Sequence, residues 1–338
     1  MGAVLITRNP EGADEEVTVP ERFDPYLQFA DMPFSAVFYP LGFPVEVKTN
    51  CAEVLELAEQ SWGEFRQTIE MPLIHVQLGV REGGGTDCPP PPQSRALHNI
   101  MARIADAENF YIVDLLQGFS FGWVNDAALS HRTYLRYHYL EAAALTHIAN
   151  RYTAPVHAAC VDWQGHGVLL CGDSGAGKSS LAFACGRAGW TYVTDDASFL
   201  LHGESGRWIH GNCHMVRLRP SAADLFDEVA GRPLTPRLNG KPSIEIPMSA
   251  MPEIRRAPKS NVEHIVFLNR GESRVQELVP YSRDAARIYV HKHLCGMDQL
   301  RALQVASVER LLTAQVVELR YHDMDWAVDR LQRLVLEP

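Results

Sequence analysis

The spacing of apolar and polar residues outlines two unlike halves. Ala36-Val37-Phe38-Tyr39, a Gly-Phe-Pro turn and Val45-Glu46-Val47-Lys48 predict a hairpin within 35–48. Asn50 stands where a helix cap is wanted, ahead of 52–65, where Val54, Leu55, Ala58, Trp62 and Phe65 share one helical face. A further strand is predicted over 73–80. Gly83-Gly84-Gly85 and the run Pro89 through Pro92 then break the pattern as an exposed loop. Ordered-looking sequence resumes at Ala96 and at Phe110-Tyr111-Ile112-Val113. Residues 134–150 read as a helix that packs Leu135, Tyr139, Ala142, Ala143 and Leu145. Residues 1–30 carry many charges, Pro10, Pro20 and Pro25, and little periodicity, so they read as a tail or arm.

A boundary falls near Thr153-Ala154-Pro155, which divides the chain into the arm (1–30), a smaller N-terminal α+β domain (31–153) and a second domain (154–338). That second domain opens with the apolar run 156–161, a polar turn over 162–166 and the apolar run Gly167-Val168-Leu169-Leu170-Cys171. Strands joined by so short a turn are antiparallel neighbours, unlike the parallel helical crossovers of ordinary βαβ enzymes. The strand leads into Gly172-Asp173-Ser174-Gly175-Ala176-Gly177-Lys178-Ser179, and a helix leaves it through Ser180 and Leu181. This is the phosphate-loop pattern G-x-x-x-x-G-K-[ST] in its strand–loop–helix setting. Glycines let successive N–H groups curl around phosphate oxygens, and the helix start adds its positive dipole end. In this pattern Lys178 reaches the β/γ-phosphates of a nucleotide and the Ser179 hydroxyl ligates Mg²⁺. Past the helix, Trp190-Thr191-Tyr192-Val193-Thr194 predicts a strand that ends in Asp195-Asp196. One such carboxylate can hold Mg²⁺ while the other takes a proton from an attacking hydroxyl.

Composition narrows the classes. A chain of 338 residues with 46% hydrophobic content can build two modest domains. Its formal charge of −10 argues against a nucleic-acid partner, since such binding rests on neutralising phosphates. No apolar run reaches the roughly 20 residues that cross a bilayer, and the acidic start is unlike a secretory signal, so a cytoplasmic protein with no membrane partner is expected. The seven cysteines lack a C-x-x-C pair, and Cys160, Cys171 and Cys185 sit in apolar runs as small buried residues.

From Val156-His157 through the loop to Arg187-Ala188-Gly189 and Val193-Thr194-Asp195-Asp196, the chain resembles the HPr kinase/phosphorylase family, itself related to phosphoenolpyruvate carboxykinase. The spacings from His157 to Lys178 and from Lys178 to Asp196 agree as well as the letters. The resemblance implies an α/β (α+β) fold, a mixed-sheet P-loop core with flanking helices. It implies ATP and Mg²⁺, with Lys178 on phosphates, Ser179 on the metal, Asp196 as proton acceptor, and His157 beside it tuning its proton affinity. Asp195 is the expected second catalytic and metal carboxylate. The family's Glu after the loop serine is Ser180 here, no second metal carboxylate appears near Ile209-His210-Gly211, and the glycine-arginine signature of the phosphorylase reaction is absent. A kinase without the reverse reaction is therefore expected. The wider layout is similar to HPr-kinase-related proteins of bacterial gene clusters, so a peptide natural-product precursor joins the candidate acceptors. Family members commonly form oligomers, so a homo-oligomer is expected too.

A cationic clamp on the transferring phosphoryl group is sought in Arg217, Arg219 and Lys241, the last at a glycine turn. His210, His214, His291, His293 and Cys295 are zinc-ligand types without the paired spacing of structural zinc sites. Strands are predicted over 262–268 and 316–321, a helical block over 297–314, and a closing helix capped by Asp323 with Ala327, Leu331, Leu334 and Val335 inward. The sequence reading is an ATP-dependent kinase of a serine in a peptide or protein. A small-molecule hydroxyl such as free serine, and a non-catalytic nucleotide-binding regulator, are the alternatives.

Overall fold

The computed structural model describes residues 4–8, 14–18, 30–83, 85–236, 242–271, 275–294 and 298–337. Lys241 and Cys295, both singled out in the sequence, lie outside the described residues. Within the stretch that reads as an arm, strands Val4–Arg8 and Asp14–Thr18 pair antiparallel with each other.

Among the described residues, the N-terminal half holds a seven-stranded sheet ordered Phe34–Phe38, Val45–Thr49, Ile74–Arg81, Phe119–Asn125, Phe110–Asp114, Ile100–Ile104, Gln93–Leu97. The predicted hairpin forms, closing at Phe38 opposite Val45. Helix Ala52–Trp62 then crosses over, so Val45–Thr49 and Ile74–Arg81 run parallel. That helix stops at Gly63, and Phe65 is buried beyond its end. Asn50 is not its cap. The Asn50 amide instead donates to the Val80 carbonyl and accepts from the Val80 N–H, each at 2.8 Å. Two backbone groups of a strand are satisfied at once, against one at a helix end.

Strand Phe119–Asn125 sits inside the sheet, although Gly118 and Gly122 give it the look of a turn. Gly122 is there for space, since a Cβ on it would come within 2.3 Å of the Phe110 carbonyl oxygen. The helix predicted over 134–150 forms within a helical stretch from Arg132 to Tyr152 that contains two wide π-type turns, Arg136–Glu141 and Ile148–Tyr152.

The C-terminal half is built on a mixed sheet with helices on both faces, the α/β class expected. Its organising strand is Lys259–Arg270, twelve residues long. On one edge it carries two partners in succession, Trp208–Gly211 antiparallel and then Gln315–Tyr321 parallel. On its other edge lies His166–Cys171, parallel to it and antiparallel to Ala159–Trp163. The hairpin that enters the glycine loop is therefore present, its tight turn made by Gln164 and Gly165, both at positive φ. The apolar run 156–161 is split, with Thr153–Val156 pairing elsewhere, against Ser198–Leu201.

Strand His166–Cys171 reads as a continuous apolar run because both of its faces are covered. Val168 and Leu170 join a core with the loop helix and the closing helix Met324–Leu336. Leu169 and Cys171 join a second core with helices Arg283–His291 and Asp298–Leu311. Asp323 caps the closing helix as predicted, accepting from the Trp326 N–H at 2.7 Å.

Buried charge joins the two halves. Glu245, from strand Pro242–Pro247 of the C-terminal half, accepts from Arg136 at 2.5 Å, from Arg217 at 2.6 Å and from the Tyr137 hydroxyl. Arg217 also pairs with Glu141 at 3.3 Å. Burial alone would raise the Glu245 carboxyl, but the Arg217 and Arg136 guanidiniums hold it down at about 2, below the ordinary 4.5. Folding lowers this pKa, so the stabilisation is complete above about pH 4.5 and is lost as pH falls toward about 2. Glu245→Gln should cost about 3 kcal/mol, the scale for removing one partner of a buried pair. Urea unfolding at pH 7 and between pH 4.5 and 3 checks both statements; the variant's stability should depend less on pH across that range.

Candidate active site

The loop Gly172–Gly177 turns the chain from a strand buried from Gly167 onward into helix Lys178–Arg187. Gly172, Gly175 and Gly177 take φ of 148°, 96° and 96°, backbone that other residues seldom adopt. Gly177 has no room for a side chain either, because its Cβ would meet the Tyr321 hydroxyl at 2.8 Å. The Lys178 side chain folds back over the loop, donating to the carbonyls of Gly172 (2.7 Å) and Asp173 (3.3 Å). Burial pulls its ammonium below the usual lysine value, while the Asp196 carboxylate opposes that shift.

One cavity of about 360 Å³ gathers most of the residues singled out in the sequence. His157, Ser174, Gly175, Gly177, Lys178, Ser179, Ser180 and Asp196 all line it. His157 follows the end of strand Thr153–Val156, and Asp196 follows Thr191–Thr194, so separate strand ends converge on the loop. His157 Nδ1 lies 3.3 Å from Asp196 Oδ1, and both side chains are about one-third exposed. Ser221 and the cations Arg219 and Arg270 complete the lining. Arg219 donates to the Ser174 hydroxyl at 3.2 Å, and Arg270 ends the organising strand. Three cations, a helix N-terminus and a loop at positive φ make this cavity suited to a polyanion.

Asp195 and Arg217 sit apart from this cavity. The Asp195 side chain is buried, and its Oδ2 accepts the Arg217 backbone N–H at 3.0 Å. Its main-chain carbonyl accepts from the Ser179 hydroxyl at 3.1 Å. The Arg217 guanidinium is committed to Glu245 and Glu141. Among the described residues, no group of three or more His, Cys, Asp and Glu side chains converges as a metal site would. His210 pairs with Glu204, His214 with Glu64 and His291 with Glu309.

Ser221, Arg270 and Tyr289 escaped the sequence reading. Arg270 lies two positions past the predicted strand end, where strand ends form binding crevices in α/β sheets. Tyr289, on helix Arg283–His291, holds the loop entrance together. Its hydroxyl accepts from the Gly172 N–H at 3.2 Å and lies within donating distance of the His157 carbonyl (2.6 Å) and the Gly172 carbonyl (2.9 Å). Burial raises its pKa, so the proton stays in place to donate. The signal available was a tyrosine on an amphipathic stretch, which core packing alone would explain.

No protein-family model matches the chain, and no curated protein matches it. One solved structure it is similar to is that of the HPr(Ser) kinase/phosphatase from Coxiella burnetii, at 14% identity. The match covers 54% of this chain and 99% of that one, with a TM-score of 0.27. A likeness that loose decides nothing about function. Among the described residues, no helix is long and apolar enough to cross a membrane.

Tyr289→Phe should leave the buried Gly172 N–H without its partner and cost roughly 1–3 kcal/mol. Urea unfolding measures this; an unchanged midpoint would remove the latch role.

Proposed function

We propose that the protein is an ATP-dependent kinase that transfers the γ-phosphoryl group to an alcohol, a serine of a peptide or protein being the leading acceptor. One observation carries the reading: the Asp196 carboxylate, in contact with His157, borders the same cavity as the glycine loop and its three cations. A base within reach of the phosphate site and a cationic cradle are the two parts that phosphoryl transfer requires.

In this reading the triphosphate lies on the loop amides, with Lys178, Arg219 and Arg270 around its β/γ oxygens. Asp196 takes the proton of the acceptor hydroxyl as the oxygen attacks the γ-phosphorus, and the bond to the ADP oxygen breaks. His157, against the Asp196 carboxylate, orients it and bears part of its charge. The donor set suits Mg²⁺, which takes few protein oxygens and keeps phosphate and water ligands. The Ser179 hydroxyl is the loop's hard-oxygen donor and would hold the ion, which when bound neutralises phosphate charge. The Asp195 carboxylate, expected as a metal ligand, instead accepts the Arg217 N–H, and its backbone carbonyl positions Ser179. That placement favours a second reading, a regulator that binds nucleotide without transfer.

Asp196→Asn should keep ATP binding and lower transfer by roughly 10²–10⁴-fold, the span attributed to a general base. Lys178→Ala should weaken ATP binding and transfer together. Titration with a fluorescent ATP analogue and acceptor-dependent ADP release measure both. ATP binding with no ADP release above background in any lysate fraction would favour the regulator.

A further inference from the structure

Asp196 borders a second cavity as well, on the side facing the N-terminal half. This inner cavity holds about 90 Å³ and is walled by Leu41, Trp62, Phe65 and Leu145 of that half. Thr194, Asp195 and Asn212 close it from the C-terminal half. It adjoins an outer, more polar cavity of about 340 Å³, and Ser61, Glu141, Asn212 and Arg217 line both. The phosphate cavity, Asp196, the inner cavity and the outer cavity thus follow one another, linked by shared lining residues.

That order is what an in-line transfer needs, with the nucleophile reaching the γ-phosphorus past the base and from the side away from the leaving group. The apolar walls exclude water from the place where the alcohol gives up its proton, which limits loss of the phosphoryl group to hydrolysis. Volume restricts the acceptor. A cavity that takes benzene measures about 150 Å³, and a water's share of the liquid is about 30 Å³. The inner cavity therefore admits a hydroxyl on a short aliphatic stem and refuses a phenol. The outer cavity stands at the lower end of the roughly 300–1,000 Å³ range of small-molecule sites. It takes an amino acid's backbone or the residues flanking one side chain of a flexible peptide.

Taking Asp196 as the base of the proposed transfer, we infer that the inner cavity is the entry for the acceptor hydroxyl and that the N-terminal half selects the acceptor there, admitting the stem of a serine or threonine, free or in a flexible peptide, and excluding a tyrosine. The two halves are held in register for this by the Arg136–Glu245 and Arg217–Glu141 pairs, which span the boundary beside the outer cavity. Ser61 offers the test. It lies on helix Ala52–Trp62, lines both cavities and is half-buried, its hydroxyl donating to Glu141 at 3.1 Å.

The experiment uses the full chain with γ-labelled ATP and four probes: free L-serine, and random peptide mixtures centred on serine, threonine or tyrosine. Wild type should label serine or threonine in at least one form and leave tyrosine unlabelled. Free serine against peptide distinguishes the two sources of the same hydroxyl. Ser61→Phe fills the inner cavity and should lower transfer on the order of 100-fold, the scale of a displaced reactant, with ATP binding unchanged. Ser61→Ala removes the hydrogen bond to Glu141 without filling space, so its transfer should exceed that of Ser61→Phe, which separates occlusion of the cavity from loss of that bond. The inference is overturned if Ser61→Phe binds ATP and transfers like wild type, if tyrosine peptides are labelled, or if an ATP-binding wild type labels no aliphatic hydroxyl. The tyrosine exclusion is read on wild type and holds even should the phenylalanine variant fail to fold. A wild type that binds no ATP removes the kinase reading itself.

Discussion

The turn from a strand buried on both faces into a helix is the constraint around which this protein is organised. Strand His166–Cys171 lies between two cores and can shift toward neither. The chain must then leave it within six residues and start a helix whose first side chain, Lys178, is itself buried. Positive φ at Gly172, Gly175 and Gly177 makes that path open to glycine. Tyr289 reaches across from another helix to fix where the path begins. Because the strand is immobile and the exit is latched, the loop's shape does not wait for a ligand, and a preorganised cradle spends little binding energy on ordering.

The second organising feature is the charge buried between the halves. Glu245 against Arg136 and Arg217 is balanced locally, two cations with Glu245 and Glu141, so none of these groups is left to carry charge alone in a poorly solvated place. Arg217 serves this arrangement with its side chain and anchors Asp195 with its backbone N–H. Asp195 in turn receives the Ser179 hydroxyl. A hydrogen-bonded line thus runs from the boundary between the halves to the first turn of the loop helix. The N-terminal half is by this route part of the site's framework as well as one wall of the inner cavity.

Much of this was legible beforehand wherever a local rule dominates. The glycine loop, its strand and helix, the upstream hairpin and the Asp323 cap all follow from short-range spacing. The reading failed where a side chain had two uses to choose between. Asn50 has a capping residue's chemistry, yet it serves a strand that lies thirty positions away. Arg217 and Arg219, alike in sequence, part company because strand Met215–Leu218 ends between them: Arg217, on the strand, pairs with Glu245, while Arg219, past its end at the turn Pro220–Asp224, reaches the loop.

Residue order alone therefore dictated the loop, its backbone conformation and the acidic pair after the next strand, because those depend on neighbours within a few positions. It could not say which of two adjacent aspartates would face the cavity, nor that Arg270 and Tyr289 would join it. Nor could it say that the far side of Asp196 would be walled by Leu41, Trp62 and Phe65, over a hundred positions earlier. Those outcomes were decided by how sheets and helices from distant segments pack, since long-range proximity is a property of the folded volume and leaves no period in the chain.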